Sequence, residues 1–161
     1  MYEDLITDIK NDLKLSLFEF REKDFKDFET NDSERAKVFR IGYYLQKIMD
    51  SKELYKKEKI IVDCEYNRMV TQDGRVAKNM PCMKDDDHNG NVIPDLIVHR
   101  RNSSECNLLV CEFKNKHAND RDEQKLDEFK KSKFFQYKHA CLIILNKLHD
   151  INYIENLIEK L

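Results

Sequence analysis

Glycine is scarce in this chain of 161 residues, and its scarcity excludes two common phosphate-binding motifs. The three glycines, Gly42, Gly74 and Gly90, are too far apart to form a Walker-type phosphate loop or a Rossmann fingerprint. The chain also lacks a large excess of one charge. Its 29 Lys and Arg residues nearly balance its 31 Asp and Glu residues, which gives a formal net charge of −2. This balance excludes a uniformly basic protein that binds DNA or acidic membranes through its overall positive charge. Any nucleic-acid partner must bind a local basic patch.

Long apolar runs and ordered cysteine spacings are also absent. No apolar run approaches the roughly 20 residues that span a bilayer. Met1 to Lys10 carries charged residues where a secretory signal needs an apolar stretch. The five cysteines are odd in number and are never spaced as a zinc knuckle or a redox pair. We expect a soluble cytoplasmic protein without a membrane partner, folded as one domain over residues 1–161.

The first third of the chain has the apolar spacing of helices. Leu5, Ile9, Leu13 and Leu17 recur every four residues and predict one buried stripe. A cap signal at residues 31–33 precedes a second helix that ends near residue 51.

The rest of the chain alternates between strand and helix patterns. Residues from about 71 to 91 are polar and predict a long loop, or two loops that flank a short strand around Val76. This order predicts an α/β fold with a mixed sheet, because its central hairpin is antiparallel. The predicted strands are Lys59 to Asn67, Ile93 to His99, Asn107 to Lys114 and Tyr137 to Leu145, and the predicted helices are Asp120 to Lys133 and Ile151 to Leu161.

Two of the predicted strands carry acids at positions that face each other. If residues 101–106 form the loop, with Arg100 opposite Asn107, antiparallel pairing places Asp95 directly opposite Glu112. Directly opposed residues have Cβ atoms about 5 Å apart. Two carboxylates that close repel each other unless a proton or a cation lies between them.

The chemistry of this pair suits a divalent cation. Mg²⁺ accepts one or two protein carboxylates and keeps waters and substrate phosphates as its other ligands. Lys114 shares a strand face with Glu112, because side chains alternate along a strand. The alternative is a cross-strand acid pair that Lys114 neutralises, with no metal and no reaction.

Two further acids are candidates for the same site. Glu34 lies on the apolar stripe of its helix and would point at the sheet, although a Glu in a first helical turn also complements the helix dipole. Glu65 and Asp63 share a face of the first strand. We expect one of them to face the site and the other to be a routine strand-end charge.

These residues resemble the motif of the PD-(D/E)XK nuclease superfamily. Glu34 matches its helix acid, Asp95 its acid after proline, Glu112 its strand acid and Lys114 its lysine. The similarity covers about residues 33–145 and extends to small bacterial members of the superfamily, with residues 62–68 as the first core strand. It implies a restriction-endonuclease-like αβββαβ core, with an extra N-terminal helix and a C-terminal helix.

The resemblance also implies a reaction. In such a site Mg²⁺, or Mn²⁺ as a substitute, is held by Asp95, Glu112 and the backbone carbonyl of Phe113, with Glu34 as a ligand directly or through water. Lys114 then orients the attacking water or stabilises charge on the phosphate. The implied activity is metal-dependent hydrolysis of phosphodiester bonds in DNA, with Asp95, Glu112, Lys114 and Glu34 as catalytic residues.

The partners of this chain follow from the same comparison. DNA is the expected substrate, and Lys116 and Lys125 are candidates for binding it, although i,i+4 pairing with acids explains most cations nearby. Glu65 is a possible accessory residue. The chain could form a homodimer or serve as a partner subunit. The alternative function is a catalytically inactive nuclease-fold protein that binds nucleic acid or a protein partner in a defence or repair assembly.

Overall fold

The computed structural model describes residues 2–28, 33–66, 68–71, 74–77, 93–101, 103, 105–131 and 135–161. Most of the polar stretch predicted as a loop, residues 78–91, lies outside these ranges. Within them, no helix is both long and apolar enough to cross a membrane.

The described chain forms an α/β fold, as the alternating pattern predicts. Two short 3₁₀ helices, Phe25–Phe28 and Leu145–Lys147, connect the longer elements. The helices are α1 (Tyr2–Lys23), α2 (Glu34–Asp50), α3 (Glu53–Glu58), α4 (Asp120–Lys131) and α5 (Ile151–Glu159), and the strands are β1 (Ile60–Cys64), β2 (Arg68–Thr71), β3 (Gly74–Ala77), β4 (Leu96–Arg100), β5 (Asn107–Lys114) and β6 (His139–Ile144).

The two long helices begin and pack as their sequences predict. All four leucine and isoleucine residues of the α1 stripe are buried. Ser33 caps α2, because its hydroxyl oxygen accepts a hydrogen bond of 3.3 Å from the backbone N–H of Ala36. The cap fixes where α2 begins, which places Glu34 in its first turn.

A mixed sheet of four strands, in the order β1-β4-β5-β6, forms the centre of the molecule. β1 pairs antiparallel with β4, β4 pairs antiparallel with β5, and β5 pairs parallel with β6. Strand β5 is buried from Asn107 to Phe113, because α1 and α2 cover one face of the sheet and α4 covers the other. The predicted α/β class with a mixed sheet is therefore confirmed.

The predicted pairing of β4 with β5 is correct near the acids and wrong near the loop. Leu96 pairs with Cys111, and the register continues unchanged to Val98. A β-bulge between Val98 and His99 then places Asn107 opposite His99, so Arg100 does not face Asn107 as predicted. The error lies at the end of the hairpin next to its loop, and it does not change the register beside the acids.

The first core strand is shorter than predicted. It ends at Cys64, because Glu65 adopts a left-handed backbone conformation with φ of 51° that breaks the strand. Arg68, which we expected in the same strand, begins the separate hairpin of β2 and β3. The short strand expected around Val76 is present as β3.

Candidate active site

Glu112 is a buried acid near the end of the central strand. The apolar residues before it extend β5 through the core, and the alternation of side chains turns Glu112 toward α4. Its carboxylate is 1% exposed, and its Oε2 atom accepts a hydrogen bond of 2.7 Å from the ammonium of Lys125. The other oxygen, Oε1, is buried and has no hydrogen-bond partner within the described part of the chain. Such an unsatisfied oxygen can accept a proton or bind a cation.

Asp95 approaches Glu112 from the neighbouring strand. It directly precedes β4, and the β4–β5 register, continued by one residue, places it opposite Glu112. Its Oδ2 atom accepts a hydrogen bond of 2.7 Å from the backbone N–H of Phe113. Burial raises the pKa of Glu112 to about 7, the positive charge of Lys125 opposes this rise, and the negative charge of Asp95 adds to it.

The backbone carbonyl of Phe113 belongs to the same end of the sheet, which we call the acidic corner after Asp95 and Glu112. In a strand, the N–H and C=O of one residue point to the same neighbouring strand. Since the N–H of Phe113 binds Asp95, its carbonyl is directed to the same side of β5. The carbonyl predicted as a metal ligand is therefore on the side from which Asp95 approaches.

Glu34 joins the helical layer to this corner. Its Oε2 atom accepts a hydrogen bond of 3.0 Å from the backbone N–H of Asn115, directly after β5. The side-chain oxygen of Asn115 accepts in turn from the ammonium of Lys37 at 3.1 Å. Glu34 thus points at the sheet, as its place on the apolar stripe predicts.

A cavity of about 180 Å³ opens beside Asp95 and Glu34. Glu65 also lines this cavity, and its backbone N–H donates a hydrogen bond of 3.1 Å to the carbonyl of Asp95. Its carboxylate forms an ion pair of 2.7 Å with Arg35. The ring of Phe39 lines the same cavity although it is 64% exposed. The cavity therefore has an acidic wall and an exposed aromatic rim.

Asp63 has different contacts from Glu65. It accepts hydrogen bonds of 2.9 Å from the imidazole of His99 and from the guanidinium of Arg101. Of the two acids, Glu65 lines the cavity with Asp95 and Asp63 belongs to an ion-pair cluster.

Lys114 lies among acids, but its closest ionic contact was not predicted. Its ammonium is 3.4 Å from Oδ1 of Asp122 on α4. Burial lowers the pKa of Lys114, but the charges of Asp122, Glu34 and Asp95 outweigh burial and hold it above its ordinary value. The ammonium therefore stays positive at neutral pH within the field of the acids.

Helix α4 contributes two residues to the site, Lys125 and Asp122. The sequence did not predict the contact of either residue with the strand acids or with Lys114. Lys125, which we predict to bind nucleic acid, donates to Glu112 and, at 2.7 Å, to the carbonyl of Ile93. Asp122 lies one helical turn before it and is buried. Lys125 and Asp122 lie on the same face of α4 as the buried side chains of Leu126 and Phe129. This shared face was the sequence signal that both residues contact the sheet. Lys116, the other expected DNA contact, is exposed.

The donor set fits a hard cation that keeps part of its water shell. Within the described ranges, no three His, Cys, Asp or Glu side chains form a complete metal cage. Mg²⁺ does not require one, since one or two carboxylates and several waters are its usual ligands in proteins. Oε1 of Glu112, which has no described partner, and the carboxylate of Asp95 are groups of this kind.

Comparisons with known proteins give no independent assignment. No protein-family model, no curated protein and no solved structure matches this chain.

Proposed function

We propose that this protein hydrolyses phosphodiester bonds in DNA and requires Mg²⁺. The observation that carries the proposal is the buried Glu112, whose Oε1 atom has no partner among the described residues and whose pKa is raised by burial and by the negative charge of Asp95. A carboxylate without a full set of partners is costly to keep inside a protein. A divalent cation shared with Asp95 would satisfy it.

Each side chain of the corner has a part in the proposed reaction. Asp95 and Glu112 would hold the ion, with the carbonyl of Phe113, and Glu34 would complete the shell directly or through water. A Mg²⁺ ion bound there supplies Lewis-acid polarisation of a phosphoryl oxygen. Lys114 would orient the attacking water or offset negative charge that develops on the phosphate, and the acids around it keep its amine protonated for the second task.

The order of elements supports a restriction-endonuclease-like core. Helix α2, strands β1, β4 and β5, helix α4 and strand β6 occur in the order αβββαβ, with the short helix α3 inserted before β1 and the β2–β3 hairpin inserted after it. In this arrangement Glu34 lies on the first core helix, Asp95 directly before the second core strand, and Glu112 and Lys114 at the end of the third. The four positions that resemble the PD-(D/E)XK motif thus lie around one end of the sheet.

The proposal is tested by cleavage of supercoiled plasmid and of labelled single-stranded DNA, each with Mg²⁺, Mn²⁺ or EDTA. The natural chain is compared with Lys114→Met and with Lys57→Met, which removes the same charge from an exposed residue of α3. We expect metal-dependent cleavage that Lys114→Met lowers at least 100-fold and Lys57→Met leaves unchanged. Equal background in all three proteins would contradict the proposal.

One observation favours the second candidate function, a catalytically inactive protein that binds nucleic acid or a protein partner. The ammonium of Lys125 already neutralises one oxygen of Glu112, as a structural ion pair would. This candidate predicts that DNA binds without being cut and that Mn²⁺ does not bind measurably to the natural chain. Calorimetric titration with Mn²⁺, with Asp95→Asn as the control, separates the two candidates.

A further inference from the structure

A second cavity, of about 450 Å³, lies along the outer side of strand β6 and has a basic lining. Its floor includes Leu142 and Ile144 of β6, and its walls come from the segment after β5, the 3₁₀ helix at residues 145–147, and α5. The polar and charged side chains that line it are those of Lys116, His117, Lys147, Tyr153, Asn156 and Lys160. We refer to this cavity as the β6 groove.

Within the described part of the chain, no acidic side chain compensates the positive charge of the β6 groove. No acidic residue is among the described residues that line it. Lys116, Lys147 and Lys160 are all exposed, and none forms an ion pair with any other described residue. Elsewhere in the described chain, lysines such as Lys14, Lys52 and Lys131 pair with carboxylates. Three ammonium groups that form no ion pair with a described residue, one of them (Lys147) over the ring of Tyr153, create a local positive potential around one concave surface although the net charge of the chain is −2.

The β6 groove lies one strand away from Glu112 and two strands away from Asp95. In the parallel pairing of β5 with β6, Leu142 is the partner of Glu112 and Ile144 is the partner of Lys114. Neighbouring strands are about 4.8 Å apart. Lys116 follows Lys114 by two residues and continues the same chain segment into the groove. A polymer that lies in the groove is therefore within reach of the acidic corner.

We propose that the β6 groove binds the phosphodiester backbone of a nucleic-acid strand whose scissile phosphate lies at the acidic corner; this inference rests on the proposed function. Lysine ammonium groups bind phosphates through charge rather than through base identity. The hydroxyl oxygen of Tyr153 accepts a hydrogen bond of 2.8 Å from the backbone N–H of Ile144, which leaves its O–H available as a further donor to phosphate. The groove thus predicts binding that depends on salt and tolerates any base sequence.

The experiment is fluorescence anisotropy with labelled single-stranded and duplex oligonucleotides, in EDTA so that no cleavage occurs. One triple variant, Lys116→Gln, Lys147→Gln, Lys160→Gln, removes the cations of the groove. A matched triple variant, Lys10→Gln, Lys26→Gln, Lys57→Gln, removes equal charge from α1, the first 3₁₀ helix and α3. The single variant Lys147→Glu provides a second test with only one altered residue.

We expect the groove triple variant to bind DNA at least 10-fold more weakly than the natural chain, and the matched triple variant to bind less than 3-fold more weakly. The slope of log affinity against log salt should fall by about 2 in magnitude only in the groove variant. Lys147→Glu should weaken binding at least 3-fold. Equal losses in both triple variants would overturn the proposal, as would competition by poly-glutamate as effective as that by unlabelled DNA.

The same set of proteins separates failure of the groove from failure of the proposed function. In EDTA the carboxylate of Asp95 repels a phosphate at the acidic corner, so Asp95→Asn should bind DNA at least as tightly as the natural chain while losing metal-dependent cleavage. If the natural chain binds DNA through the groove but does not cut it with any metal, the groove is supported and the proposed hydrolysis is wrong. If it cuts DNA and the groove variant binds and cuts equally well, the groove inference is overturned and the hydrolysis is supported.

Discussion

The ammonium of Lys125 lies 2.7 Å from Oε2 of Glu112 and the same distance from the carbonyl oxygen of Ile93. A cation from α4 thus contacts the acid that we assign to a metal, while Oε1 of that acid has no partner among the described residues. Lys125 stabilises Glu112 when no metal is bound, because an isolated buried carboxylate is strongly unfavourable. It also competes with a divalent cation for the same negative charge.

This competition predicts opposite effects of Lys125→Gln on folding and on metal binding. Without metal at pH 8, the variant should lose about 3 kcal/mol of unfolding free energy, since it leaves Glu112 buried without its partner. Its affinity for Mn²⁺ should rise at least 10-fold, because a positive charge beside the ion is removed. Urea unfolding in EDTA and calorimetric titration with Mn²⁺ measure the two effects.

Two control variants test whether these effects come from the ion pair of Lys125 with Glu112. Lys130→Gln, an exposed position on the same helix, should change neither quantity. The double variant Lys125→Gln, Glu112→Gln should recover most of the lost stability, because both charges are then absent. Weaker Mn²⁺ binding in the single variant would show that Lys125 does not compete with the ion.

The raised pKa of Glu112 predicts that the metal-free protein loses stability as the pH rises. Folding raises this pKa from 4.5 to about 7, so the folded state binds more protons than the unfolded state between these values. Stability therefore decreases from pH 4.5 to pH 7, by on the order of 3 kcal/mol for this group, and the loss is complete above pH 7. In Glu112→Gln this component should be absent, as urea unfolding in EDTA across the range would measure.

The same pKa governs how metal binding depends on pH. Mn²⁺ must replace the proton on Glu112, so its affinity should weaken about tenfold for each pH unit below 7 and be nearly constant above 8. Calorimetry at four pH values measures this dependence. An affinity that stays constant between pH 5.5 and pH 7 would contradict the assignment of Glu112 as a ligand.

Glu34→Gln distinguishes a structural hydrogen bond from a role in the reaction. The glutamine amide oxygen can still accept the hydrogen bond from the N–H of Asn115, so unfolding free energy should stay within about 0.5 kcal/mol of the natural value. The negative charge is lost, so DNA cleavage should fall at least tenfold. Unchanged cleavage would mean that Glu34 only joins α2 to the sheet.

Asp63 should contribute to stability and not to metal binding. Burial alone would raise its pKa, but hydrogen bonds from His99 and Arg101 outweigh burial and hold the pKa below its ordinary value. This group stabilises the fold above its unfolded pKa, and the stabilisation is lost as the pH falls through the lower folded pKa. Asp63→Asn should lower unfolding free energy by about 2 kcal/mol at pH 7 and leave Mn²⁺ affinity unchanged. A weaker Mn²⁺ affinity in this variant would place Asp63 in the metal site.

The sheet and the positions of the acids could be predicted from the sequence because they depend on local periodicity. The apolar run before Glu112 specifies a buried central strand, and the short polar link before it specifies an antiparallel hairpin. Side-chain alternation and register then place Asp95 opposite Glu112. The β-bulge after Val98 was not predictable in this way, because no glycine or proline marks it.

The contacts of Lys125 and Asp122 could be predicted only in part, because their partners depend on how α4 packs on the sheet. Acidic and basic residues alternate through α4, so i,i+4 pairs on its surface explain Lys125 as well as a contact with the sheet does. The rotation of the helix on the sheet decides between the two, and that rotation is set by the buried Leu126 and Phe129. The end of β1 was missed for a similar reason, since the left-handed conformation of Glu65 has no marker such as glycine.

The most direct test of the account is anomalous diffraction from crystals of the natural chain grown with Mn²⁺. We predict one strong anomalous peak within about 2.5 Å of Oε1 of Glu112 and of a carboxylate oxygen of Asp95. Crystals of Asp95→Asn should lack this peak. Absence of a peak at this position in the natural chain at saturating Mn²⁺, with Lys125 still bound to Glu112, would contradict the metal site and the hydrolysis that depends on it.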